Sequence, residues 1–145
     1  MSQKKAKAQH FVLLCQLNNM KKQKVLMIED DYFLRKIYGN KLSAAGFEFI
    51  EATNGAEGLS KMDFEKPDIV LLDLILPKKN GFDVLIEMKK NKELKKIPVV
   101  ILSVLGQESD VKKGLALGAQ EYLVKSEVNL SEVVNKIKNL LKKKK

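Results

Sequence analysis

Three short runs of the chain contain only apolar residues: positions 25–28, 69–72 and 99–102. Runs of that length, rich in Val, Ile and Leu, are expected of parallel strands covered on both faces. Residues 47–51 alternate apolar and acidic side chains, which predicts a strand with one wetter side. A short fifth strand is expected at 122–124. Between the strands lie amphipathic helical patterns. Leu34, Ile37, Tyr38, Leu42 and Ala45 share one face of the first. Leu130, Val133, Val134, Ile137, Leu140 and Leu141 share one face of the last. Asn54 with Glu57, and Asn129 with Glu132, have the spacing of capping boxes. Gly46 is placed to end the first helix in a left-handed turn.

Strand and helix thus alternate five times from Lys24 onward, which predicts an α/β fold with a parallel, doubly wound, five-stranded sheet. The wholly apolar first, third and fourth strands belong in its middle and the other two at its edges. That gives the order 2-1-3-4-5, the flavodoxin-like (βα)5 arrangement. Its ligand crevice lies beyond the carboxyl ends of strands one and three.

The formal charge of +9 changes little once it is located. Ten of the 27 basic residues fall in positions 1–24 and 142–145, with no acids among them. The remaining 17 face 18 acids, so the body carries about −1 and, as a whole, no footprint for nucleic acid. Residues 1–23 read as a flexible extension without a role, 24–141 as one domain, and 142–145 as a lysine tail at a helix end. No apolar run approaches a membrane span. The single cysteine, Cys15, excludes a disulfide framework within one chain, and a cytoplasmic location is expected.

Every polar group with candidate chemistry directly follows a strand, at one edge of the sheet. Glu29, Asp30 and Asp31 follow the first, Asp73 the third, Ser103 the fourth and Lys125 the fifth. Clustered carboxylates repel one another unless a cation is bound. Oxygen-only ligands favour a hard ion, Mg²⁺ over Zn²⁺. Lys125 offers a point charge and Ser103 a hydroxyl donor for phosphoryl oxygens, while Asp73, alone at the switch point, suits a nucleophile. Asp31 reads better as a helix cap. Gly55 and Gly58 imitate part of a phosphate-binding loop, but they follow an edge strand and lack the full fingerprint.

These residues, in order, resemble the receiver domain of bacterial two-component response regulators. The resemblance covers residues 24–141. It rests on Val25-Leu26-Met27-Ile28-Glu29-Asp30-Asp31, on Leu71-Leu72-Asp73 through Pro77 to Gly81, on Ser103, and on Gly118-Ala119-Gln120-Glu121-Tyr122-Leu123-Val124-Lys125. It implies that Asp73 accepts a phosphoryl group from a histidine kinase or phosphotransfer protein. It implies that Glu29, Asp30, Asp73 and the Ile75 carbonyl hold Mg²⁺, and that Ser103 and Tyr122 form a switch pair. That pair would alter the face made by helix four, strand five and helix five, which contacts a downstream protein. Catalysis would extend only to the protein's own phosphorylation and dephosphorylation. With no output domain after Leu141, a stand-alone receiver without direct DNA binding is expected.

Four positions depart from the family pattern. Ser126 stands where proline is usual, Val104 where a small residue is usual, and Ile75 and Leu105 where polar groups are common. The alternatives are a receiver-like interaction module that is not phosphorylated, and an FMN protein or aspartyl phosphatase on the same fold. FMN would need a hydroxyl-rich loop after strand one, where acids stand. A phosphatase would want an acid two residues after Asp73, where Ile75 stands.

Overall fold

A computed structural model describes residues 6–10 and 22–143. Residues 6–10 are helical and exposed; residues 1–5 and 11–21 of the extension, Cys15 included, lie outside the described residues. The domain runs β1 (Lys24–Ile28), α1 (Tyr32–Ala44), β2 (Glu48–Ala52), α2 (Gly55–Glu65), β3 (Ile69–Leu72), α3 (Gly81–Lys90), β4 (Val99–Ser103), α4 (Glu108–Ala116), β5 (Glu121–Val124) and α5 (Leu130–Lys143). Short 3₁₀ turns occupy Leu94–Lys96 and Lys125–Glu127.

All strand pairs are parallel, in the order β2-β1-β3-β4-β5 expected from the apolar runs. Side chains alternate across the sheet and divide the core in two. Val25, Met27, Ile69, Leu71, Val100 and Leu102 meet α1 and α5 on one side. Leu26, Ile28, Val70, Leu72, Val99 and Ile101 meet the layer of α2 to α4 on the other.

The α5 face follows its pattern, with Val133, Val134, Ile137 and Leu141 buried and Leu130 and Leu140 packed beside them. The α1 face is a correction. Tyr38 and Leu42 are buried, but Ile37 and Ala45 are exposed, and Arg35 takes the inward position. Its guanidinium is satisfied there by the Glu29 carbonyl and the Glu51 carboxylate, so a charged side chain outcompetes an apolar one for the buried stripe.

Turn chemistry fixes the loops that carry the site. Asp31 caps α1, accepting from the amides of Phe33 and Leu34. Asn129 and Glu132 form a reciprocal capping box at the start of α5. Asn54 caps α2 by accepting from the Glu57 amide, while Glu57 accepts from Thr53 rather than from Asn54. Gly46 follows α1 with φ +95, the left-handed turn its position predicts.

Asn80 caps α3, and Gly81 begins it where the β3–α3 loop doubles back on β3. A Cβ on Gly81 would stand 2.4 Å from the Asp73 carbonyl oxygen and 2.7 Å from the Leu74 Cα. Both are backbone atoms that cannot swing aside. Gly81→Ala is therefore expected to cost about 2–3 kcal/mol, the scale of an overpacked core site. Urea unfolding checks this, and a loss under about 0.5 kcal/mol, the range of a neutral surface change, would show that the loop yields freely.

Candidate functional site

The apolar strands end at a common edge, and the backbone ladder runs one residue past it. The Glu29 amide donates to the Ala52 carbonyl, and the Asp73 amide to the Ile28 carbonyl, each at 3.0 Å. Two acids are thus fixed by the sheet itself rather than by loops. Glu29 is 1% exposed and Asp73 5%, while Asp30 is open to solvent. One carboxylate oxygen from each of Glu29, Asp30 and Asp73 lies within 4.8 Å of the other two.

Lys125 reaches across from the end of β5. Its Nζ donates to Glu29 Oε1 at 2.7 Å and to Asp73 Oδ2 at 3.0 Å. No peptide bond among the described residues is cis, so Ser126 follows Lys125 through a trans bond and the lysine still reaches the acids. Burial alone would lower the Lys125 ammonium. The hydrogen bond to Glu29 and the charge of Asp73 outweigh it and hold the group above the ordinary lysine value. For Glu29 burial wins: its carboxyl is lifted to about 7, against the Lys125 hydrogen bond and with help from the Asp73 charge. One ammonium therefore does not balance the acids, and a divalent cation fits the set on its charge and its all-oxygen donors.

This imbalance has a sign that can be measured. Without divalent cations, folded Glu29 keeps its proton up to about pH 7, while the unfolded chain releases it near 4.5. Between those values the folded state holds more protons, so Glu29's contribution to stability falls as pH rises and then levels. Urea unfolding in chelator across that window should show a downward slope that Glu29→Gln removes. Equal slopes in the two proteins would contradict it.

The remaining candidates converge on the same edge. Ser103 is fully buried at the end of β4, and its Oγ accepts from the Leu105 amide at 3.3 Å. The Tyr122 hydroxyl donates to the Leu105 carbonyl at 2.6 Å. Both groups are thus tied to one residue of the β4–α4 loop. Burial, with the charges of Asp110 and Asp73 behind it, lifts the Tyr122 hydroxyl above its ordinary pKa. The Ile75 amide donates to Asp73 Oδ1 at 3.3 Å, and the Ile75 side chain is half exposed. Val104 is exposed as well, whereas the Leu105 side chain turns toward the core under α2 to α4.

Two contributors escaped the sequence reading. Arg35, the only arginine in the chain, donates from Nη1 to the Glu29 carbonyl at 2.8 Å and from Nε to Glu51 Oε1 at 2.9 Å, anchoring the acidic loop. Its being the sole arginine, four residues after Asp31, was the available signal. Lys78 adopts φ +66 between Pro77 and Lys79, whose carbonyl and amide join at 2.7 Å in a γ-turn. Backbone strain of this kind is found where a surrounding site holds it in place.

The comparisons with known proteins agree with this fold. The family model described as the response regulator receiver domain matches residues 25–138. The transcriptional regulatory protein CpxR of Klebsiella pneumoniae is 36% identical over 120 residues, which are 83% of this chain and 50% of that protein. The alkaline phosphatase synthesis transcriptional regulatory protein PhoP of Bacillus subtilis is 31% identical over 121 residues, 83% of this chain and 49% of that one. The chain spans about half the length of the curated relatives it matches. Among solved structures, the receiver domain of Francisella response regulator 1452 superposes with a TM-score of 0.80 at 27% identity, covering 86% of this chain and all of that one. The chemotaxis protein CheY4 of Vibrio cholerae gives 0.75 at 25% identity, covering 81% and 98%. With the family model spanning residues 25–138 and relatives at 31–36% identity over 83% of the chain, this chain belongs to the response regulator receiver family.

Proposed function

We propose that Asp73 is the phosphoacceptor of this receiver, and that Glu29, Asp30, Asp73 and the Ile75 carbonyl hold Mg²⁺ beside it. The observation that carries the reading is the convergence on Asp73. One of its oxygens meets the Lys125 ammonium at 3.0 Å, and two further carboxylates lie close enough to share a cation with it. Mg²⁺, when bound, supplies positive charge to acids and phosphoryl oxygens that a single lysine does not balance.

An Asp73 carboxylate oxygen attacks the phosphorus of a phosphohistidine on a histidine kinase or phosphotransfer protein. The P–N bond breaks, the imidazole leaves with its electron pair, and an acyl phosphate remains on Asp73. Lys125 stays protonated throughout and neutralises a phosphoryl oxygen. Ser103 has a hydroxyl hydrogen to donate to another. As Ser103 moves toward the new group, it draws on the Leu105 amide, and the same residue's carbonyl holds the Tyr122 hydroxyl. Tyr122 then turns inward and alters the face of α4, β5 and α5, through which a downstream protein is contacted. Catalysis extends only to the protein's own phosphorylation and dephosphorylation. A cytoplasmic location goes with this reading, and among the described residues no helix is long and apolar enough to cross a membrane. Contact rather than direct DNA binding is the output we assign to this domain. The test is incubation with Mg²⁺ and acetyl phosphate: a phosphoryl mass adduct that requires Mg²⁺ supports the reading, and none under any condition sinks it.

The phosphorylated state is expected to be long-lived. Hydrolysis needs a water in line with the breaking bond, and a polar side chain beside it would orient that water. Ile75 and Val104 present only hydrocarbon there, and Leu105 is turned away toward the core. Lost positioning slows such a step by about one to two decades. Ile75→Asn should shorten the lifetime, followed as decay of the adduct after the donor is removed with Mg²⁺ present. Decay of the parent within seconds would contradict this.

A further inference from the structure

The edge of the sheet opposite the acids carries a feature that phosphoryl chemistry does not use. Residues 89–96 place five lysines, Lys89, Lys90, Lys92, Lys95 and Lys96, around a single acid, Glu93. All five are exposed. Lys89 lies 3.5 Å from the Ala116 carbonyl, and among the described residues Lys90, Lys92, Lys95 and Lys96 form no ion pair. Lys89 and Lys90 have an ordinary reason to be there, since they complement the carboxyl end of the α3 dipole. Lys92, Lys95 and Lys96 lie beyond that last turn, Lys95 and Lys96 in the short 3₁₀ turn that follows.

Hydrogen bonds hold the backbone of the segment. Asn91 Oδ1 accepts from the amides of Glu93 and Leu94 at 2.9 and 3.1 Å, and its carbonyl accepts from the Lys95 amide at 2.9 Å. The Leu94 side chain is buried beneath the turn. A ligand therefore finds lysines on a backbone already fixed, and the ordering cost of binding is small.

Beside the lysines is a cleft of about 60 Å³. Leu85, Met88, Ile97 and Leu117 line it together with Lys89 and Lys95. The cleft has room for the branched end of one aliphatic side chain. We propose that this cleft and its lysines bind an acidic peptide segment of a partner protein, one aliphatic side chain in the cleft and its flanking carboxylates on Lys92, Lys95 and Lys96.

Charge complementarity selects the acidic partner. Nucleic acid fits less well, because the segment has no arginine for bidentate phosphate contacts and no aromatic ring for stacking. An anionic membrane fits less well too, since none of the exposed large apolar side chains lies between residues 89 and 97 to enter a bilayer. The surface adjoins the carboxyl end of α4 through Leu117 and Gly118 but lies at the sheet edge opposite Asp73 and uses no residue of the phosphoryl site.

The test uses the full chain and a fluorescent hexapeptide with one central leucine among aspartates and glutamates, read by anisotropy at low salt. Binding should weaken about fivefold when the leucine becomes serine, as expected for loss of one aliphatic contact. It should weaken at least about tenfold in Lys92→Glu/Lys95→Glu/Lys96→Glu, whose phosphoryl uptake should match the parent. Should that variant fail to fold by circular dichroism, Lys92→Gln/Lys95→Gln/Lys96→Gln is read in its place with the same expected direction. A single-stranded oligonucleotide and vesicles containing anionic phospholipid should bind more weakly than the leucine peptide. The proposal is overturned if peptide binding is absent, if serine serves as well as leucine, if the lysine variant keeps its affinity, or if either competitor binds more tightly.

Discussion

Lys125→Met is expected to keep the fold and to lose phosphoryl uptake by at least about a hundredfold, the effect of removing one preorganised donor from developing negative charge. Methionine keeps most of the length of lysine and removes only the ammonium. That ammonium is the single protein cation on the acids, at 2.7 Å from Glu29 and 3.0 Å from Asp73 among the described residues. Its loss leaves two buried carboxylates facing each other, which destabilises the domain. The cost stays near 1–3 kcal/mol rather than the larger value of a sealed ion pair, because the lysine side chain is 22% exposed and Glu29 can keep its proton. Divalent cations, no longer competing with the ammonium, should bind at least as tightly as in the parent. Uptake from acetyl phosphate, measured with melting and cation titration, separates the two roles. If the variant folds and takes up phosphoryl groups within about threefold of the parent, Lys125 is only a structural counter-ion.

The sheet order was legible because burial on both faces leaves a plain mark: three strands carry an unbroken run of four apolar residues, and two do not. The strand-end acids were legible for the same reason, since a charge directly after such a run can only lie at the sheet edge. Periodicity was less informative on α1. It cannot tell that Arg35 will find a carbonyl and a carboxylate inside, and so it assigned the buried stripe to Ile37 and Ala45, which are exposed. The constraints on Gly81 and Lys78 come from a loop folding back on β3, a tertiary event with no local signature. Ser126 weakened the expectation at Lys125, yet the trans bond there leaves the lysine in reach. Averaging charge over the whole body gave a value near zero and hid the lysines of residues 89–96. A sum over one domain cannot see that its signs sit at opposite edges of one sheet.

Asp73→Asn carries the largest expected effect, complete loss of the phosphoryl adduct. Asparagine is nearly isosteric, so the hydrogen bond from the Ile75 amide and the packing at the end of β3 can persist. Removing one negative charge beside Glu29 also relieves repulsion, so the variant should be at least as stable as the parent. What it lacks is the carboxylate nucleophile, and an amide oxygen forms no acyl phosphate. The decisive measurement is intact mass followed by fragment mapping, on parent and variant together, after incubation with acetyl phosphate and Mg²⁺. The account predicts one phosphoryl group on the parent, mapped to Asp73, and none on the variant. An adduct of undiminished yield on Asp73→Asn, or one mapped to Asp30 or Asp31 in the parent, would contradict it.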